Sequence, residues 1–149
     1  MRRIVILAVV ALLTACGESG PNQAEALLQQ ANADYEQGRY DEGLRRIDSL
    51  RKVYPNAIDT RKKALRLQQD IELKKAQQEL ASTDSLLQLV QHDLDYQQEK
   101  VSRDKAALRA TPEELTLLTR TRMRRDSLRT QCEVLGAKIR YIHKKQKEK

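Results

Sequence analysis

A chain of 149 residues with 28 Lys and Arg against 21 Asp and Glu has five Tyr and neither Phe nor Trp, so it lacks the large fillers of a compact globular core. One third of it is charged and the formal net charge is +7, a balance that favours long, thin, well-solvated helices.

The chain opens with Met1, Arg2 and Arg3, followed by ten apolar residues from Ile4 to Leu13 and small residues at Thr14 and Ala15. Ten residues give about 15 Å of helix, half of what a bilayer core requires, so the block predicts a secretory signal peptide rather than a membrane span. Leu13-Thr14-Ala15-Cys16 resembles the lipobox of bacterial lipoproteins. The resemblance implies removal of residues 1–15, acylation of Cys16, and a short lipidated tether over 16–22. Each buried methylene contributes roughly 0.8 kcal/mol, so several acyl chains on Cys16 would anchor the protein stably to the membrane. It also implies a cell-envelope location, the outer membrane in a Gram-negative host because Gly17 rather than Asp follows the cysteine. Cys132 is then left without an intrachain partner.

Residues 23–57 read as two short helices. Asn22 with Glu25 is a capping-box-like start, and Ala26, Leu27, Ala31 and Tyr35 recur at helical spacing. Gly38-Arg39 interrupts, Tyr40 to Val53 forms the second helix, and Tyr54-Pro55-Asn56 ends it. The 34 residues from Ala24 to Ala57 resemble one tetratricopeptide repeat. Ala31 and Gly43 fall where that repeat has small residues, and Tyr40, Leu50 and Pro55 match it. Leu27 stands where Trp is commonest, and Asp34 at a usual Tyr site. The resemblance implies a groove that holds a peptide or helix of a partner, with Leu27, Ala31, Tyr35, Tyr40 and Gly43 as candidate protein-binding residues. A lipobox followed by such a repeat is similar to the start of outer-membrane-assembly lipoproteins, from which this chain departs after residue 57.

Between Asn56 and Thr111 there is neither Gly nor Pro, which predicts one helix from about Ala57 to Arg109, capped by Asn56 with Asp59 in its first turn. Its opening turns, through Ala64, Leu67 and Ile71, are expected to close the exposed face of the repeat. Further on, Leu73, Ala76, Leu80, Leu87, Val90, Leu94, Val101 and Leu108 form a heptad stripe with polar Thr83, Gln97 and Asp104 in its gaps. Thr111, Pro112 and Glu114 mark a new helix start. The last helix carries Leu118, Leu128, Cys132, Leu135, Ile139 and Ile142, interrupted by Thr121 and Arg125. An antiparallel hairpin closing near Thr111 would set Gln97 and Asp104 level with residues 118–125, polar against polar. It would also set Leu87 and Val90 level with residues 132–135. Residues 76–99 carry five acids and no Lys or Arg, and residues 123–146 seven bases and two acids, which favours this antiparallel arrangement.

The expected fold is therefore all-α: a tetratricopeptide-like helical pair packed on a long helix that forms an antiparallel coiled-coil hairpin, over 58–149, with the C-terminal helix. His92 and His143 stand too far apart in the hairpin to share a metal, and no nucleophile motif or phosphate-binding glycine loop occurs, so neither catalysis nor a cofactor is expected. Lys144, Lys145, Lys147 and Lys149 form a basic end suited to anionic surfaces. Export argues against nucleic acid as its target. The expected role is a non-catalytic adaptor or scaffold lipoprotein with a protein partner at the envelope. The alternative is a structural lipoprotein that oligomerises by coiled coil and contacts cell-wall or membrane polymers through its basic end.

Overall fold

The computed structural model describes residues 20–148, so the expected signal segment, Cys16, most of the expected tether and Lys149 lie outside the described residues. Among the described residues there are four α-helices and no strand: α1 Gly20–Glu36, α2 Tyr40–Val53, α3 Ile58–Ala106 and α4 Pro112–Lys147. The fold is all-α, as the composition and punctuation predict. The chain divides into two units, one ending at Ile71 and the other beginning at Glu72, and α3 contributes to both.

In the first unit α1 starts at Gly20, so Asn22 sits inside the helix rather than capping it. The helix ends where the sequence places a glycine. Gly38 has φ 74°, its N–H donates to the Tyr35 carbonyl at 3.0 Å, and the Arg39 N–H donates to the Asp34 carbonyl at 2.8 Å. This pair of bonds satisfies carbonyls that the last turn would otherwise leave unpaired. After the turn α2 runs back along α1, with Asp41 and Glu42 in its first turn and Arg51 and Lys52 in its last, each sign suited to the helix dipole.

The two helices approach closely at small residues. A Cβ on Gly43 would lie 3.2 Å from the Ala31 carbonyl oxygen and 3.1 Å from Ile71 Cδ1. Around this contact Leu28, Ala31, Ile47, Leu50, Ala64, Leu67 and Ile71 form one buried cluster. Ala64, Leu67 and Ile71 belong to the opening turns of α3, which thus close the helical pair as their spacing predicts. Each large side chain buried here contributes roughly 1.5–3 kcal/mol, the main stabilisation of so small a unit. Polar bonds pin the ends: the Tyr54 hydroxyl donates to Gln23 Oε1 at 2.7 Å, and Glu25 accepts from Thr60 and Lys63, both at 3.3 Å. Asn56 offers its backbone carbonyl, 2.9 Å from the Ile58 nitrogen, and α3 starts at Ile58.

In the second unit α3 stops at Ala106 rather than Arg109. Leu108 takes φ 55° and is 95% exposed, so it leaves the apolar stripe to which its spacing assigned it. The Leu108 N–H donates to Lys105 O at 3.0 Å and the Arg109 N–H to Asp104 O at 2.7 Å, the same helix end that Gly38 makes in the first unit. Thr111 then caps α4: Glu114 N–H donates to Thr111 Oγ1 at 3.2 Å, and Thr111 N–H donates to Glu114 Oε2 at 3.0 Å. This is the capping box that the sequence predicts.

Two side-chain bonds between α3 and α4 fix the hairpin as antiparallel. Lys100 Nζ donates to Glu114, and Arg125 Nη1 donates to Gln91 Oε1 at 3.1 Å. They place Val90 opposite Arg125, Leu94 opposite Thr121, Gln97 opposite Leu118 and Leu87 opposite Leu128. That is one heptad from the expected register, and the polar gaps of the two stripes do not meet. A slip of one heptad leaves both stripes facing each other, so periodicity could not choose between the two registers. The expected ion pairing of residues 76–99 with 123–146 is also absent among the described residues. The cross-helix pair that forms, Lys100 with Glu114, has the opposite polarity.

Candidate functional site

The first unit holds a groove between α1 and the opening turns of α3. Gly43 and Ala31 let α2 sit tightly on one side of α1, and Leu28 and Leu67, both 8% exposed, form the floor on the other side. Glu25, Gln29 and Asn32 rise from α1, and Lys63, Arg66 and Asp70 from α3, around a volume of about 410 Å³. Glu25 and Lys63 bridge the two walls at 3.3 Å, while Gln29 is exposed on the rim. An apolar floor between walls bearing both signs and a free amide suits the apolar edge of a peptide or helix whose flanks are polar.

The candidate residues read from the sequence divide differently. Ala31 and Gly43 are fully enclosed, so their role in the described structure is to set the separation of α1 and α2. Leu27, Tyr35 and Tyr40 pack half-buried against the core, and the two tyrosine rings meet across the turn with centroids 6.0 Å apart. None of the five lines the groove. The lining residues stand beside the buried positions Leu28 and Leu67, and that adjacency on a helix wheel was the signal that could have found them.

Asp34 is the other residue whose part the sequence concealed. It is 1% exposed, and its carboxylate accepts from Arg46 Nε at 2.5 Å and from both Arg39 Nε, at 3.0 Å, and Arg39 Nη2. The hydrogen bonds from Arg46 and then Arg39 hold the Asp34 carboxyl below its usual range, against the opposing effect of its burial. Arg46 also donates to Gln30 at 2.8 Å, so one guanidinium crosses from α2 to two positions of α1. Asp34 thus sits in a charged clasp that ties α2 to α1.

At the C-terminal end of α4, Lys144, Lys145 and Lys147 are exposed. Lys145 is engaged, 2.6 Å from Glu148 Oε2 and 5.7 Å from the centre of the Tyr141 ring, and the bond to Glu148 raises its pKa. Cys132 is a half-buried free thiol on the α4 stripe. His92 and His143 are both exposed, and the described residues contain no group of three or more His, Cys, Asp or Glu placed to hold a metal. No described helix is long and apolar enough to cross a membrane. Comparisons of the chain with family models, curated proteins and solved structures give no match.

Proposed function

We propose that the protein is a lipid-anchored adaptor of the bacterial cell envelope that holds a helix or peptide of a protein partner in the groove between α1 and the start of α3. The observation that carries this reading is the groove itself, with Leu28 and Leu67 beneath a rim of Glu25, Gln29, Lys63 and Arg66. A tetratricopeptide-like pair closed by the first turns of α3 presents that groove at one edge of the core. The lipobox-like Leu13-Thr14-Ala15-Cys16 supports membrane anchorage through acylated Cys16. The exposed cations Lys144 and Lys147 add attraction to an anionic surface without specifying one.

The test is photo-crosslinking in cells from a benzophenone amino acid at Gln29, with the same probe at exposed Ser49 on α2 as the control. A discrete adduct from Gln29 that is absent from Ser49 and is lost in Lys63→Glu, a change at an exposed rim position that leaves the core intact, supports the reading. Equal labelling from both positions, or an adduct untouched by Lys63→Glu, overturns it.

A further inference from the structure

The second unit exposes about as much large apolar side chain as it buries, and most of it lies along one flank. Asp93, Tyr96 and Lys100 of α3 and Leu117 of α4 line one groove beside the hairpin stripe. Steps of three and four residues from Asp93 continue that flank to Leu89 and Leu86. The same steps from Leu117 carry it along α4 through Arg120, Arg124, Ser127, Gln131, Val134, Lys138 and Tyr141. Leu89, Tyr96, Leu117, Val134 and Tyr141 are each more than half exposed, from 53% to 66%. The opposite flank is mostly polar, with Asp84, Gln91, Gln98, Arg122, Arg129 and Arg140.

Charge on the apolar flank is separated by helix. On α3 it has Glu79 and Asp93, and over the same span no free cation, Lys100 being held by Glu114 and Asp104. On α4 it has Arg120, Arg124 and Lys138 and no acid between Leu117 and Tyr141. None of these five charges makes an ion pair among the described residues, although α3 and α4 of one chain carry them on the same flank. A surface with acids on one helix and bases on the next is complementary to itself under a two-fold rotation, which lays α3 of each copy on α4 of the other.

We infer that this flank is the interface of a two-fold homodimer, in which two hairpins form a four-helix bundle. Leu86, Leu89 and Tyr96 of one copy meet the Leu117 and Val134 side of its partner, and Glu79 and Asp93 meet the partner's basic side. Packing a second hairpin there removes from water an apolar face that a two-helix coil leaves open. The inference stands apart from the groove reading, because the groove lies in the other unit and neither result bears on the other.

The test is the mass of the full chain in detergent by sedimentation with the bound detergent subtracted. The wild-type chain is expected to be a dimer at micromolar concentration. Leu89→Lys with Tyr96→Lys should weaken association at least tenfold with helical content unchanged, since both side chains are exposed in the monomer. Charge reversal then separates contacts between chains from contacts within one. A chain with Arg120→Glu and Arg124→Glu, and a chain with Glu79→Arg and Asp93→Arg, should each be monomeric alone and form a mixed dimer when combined. A monomeric wild type at 100-fold higher concentration, dimers indifferent to Leu89→Lys with Tyr96→Lys, or no mixed dimer from the two reversed chains overturns the inference.

Discussion

Arg46 reaches from α2 to set its Nε 2.5 Å from Asp34 Oδ2 on α1, in a carboxylate that is almost wholly buried. Loss of the arginines would strand a buried carboxylate, whereas loss of Asp34 frees two guanidiniums that are 47% and 40% exposed and removes the bonds that tie α2 to α1. The Asp34 carboxyl is held low by Arg46 and then Arg39. A carboxyl depressed in the folded state stabilises above the unfolded-chain value of about 3.9, and that stability drains away as pH falls through the lower folded value. We therefore expect thermal melts to be flat from pH 7 to about 5 in respect of this group and to fall steeply below about pH 4. In Asp34→Asn the melting temperature at pH 7 should drop by more than about 5 °C and the acid-dependent part from this group should vanish. An Asp34→Asn variant that melts like the wild type at pH 7 would show that the clasp carries no stability.

Gly43 leaves no room for a side chain. Its Cβ would crowd the Ala31 carbonyl, which is backbone and can move only with the helix. Gly43→Leu should cost about 1–3 kcal/mol by overpacking and push α2 off α1. Calorimetry should show a lowered transition, and an unchanged one would mean that the helices separate freely at this point.

Leu108 holds a left-handed conformation that disfavours a side chain, and it is exposed enough to contribute no packing. Leu108→Gly should relieve about 1–2 kcal/mol of backbone strain and restore part of that as extra freedom in the unfolded chain. The expected net gain is about 0.5–1 kcal/mol, read as a melting temperature a few degrees higher. A loss of stability would mean that the turn does not depend on the Leu108 conformation.

The register can be tested with paired cysteines in a chain carrying Cys16→Ser and Cys132→Ala. Leu87→Cys with Leu128→Cys should join within one chain through a short thiol-reactive linker at high dilution. Leu87→Cys with Leu135→Cys, the pair one heptad away, should not. The reverse outcome would replace the register that Lys100 with Glu114 and Arg125 with Gln91 define.

Cys16→Ser should abolish incorporation of an alkyne-tagged fatty acid and release the protein from the membrane fraction. Continued labelling with normal retention would remove the lipobox from the proposed function and leave the groove standing.

The residues themselves determined where helices start and stop when a local device was sufficient. Gly38 ends α1 because only a left-handed residue closes that turn cheaply, and Thr111 with Glu114 starts α4 because both bonds lie within four residues. The stripes, the chain reversal and the closure of the helical pair by Ala64, Leu67 and Ile71 were legible for a related reason: apolar periodicity reports which face is buried. What periodicity does not report is the neighbour. Asp34 reads as a misfit until Arg39 and Arg46 arrive beside it. Leu108 keeps the heptad spacing yet ends in solvent, and the groove is made by residues adjacent to the buried positions on two helices far apart in the chain. The hairpin register was beyond the sequence because a seven-residue slip keeps the two stripes face to face, even though it sets Leu94 against Thr121 and Gln97 against Leu118, and the turn length decides between the two. Ending α3 at Ala106 and capping α4 at Thr111 brought Glu114 to Lys100, and that choice belongs to the tertiary structure alone.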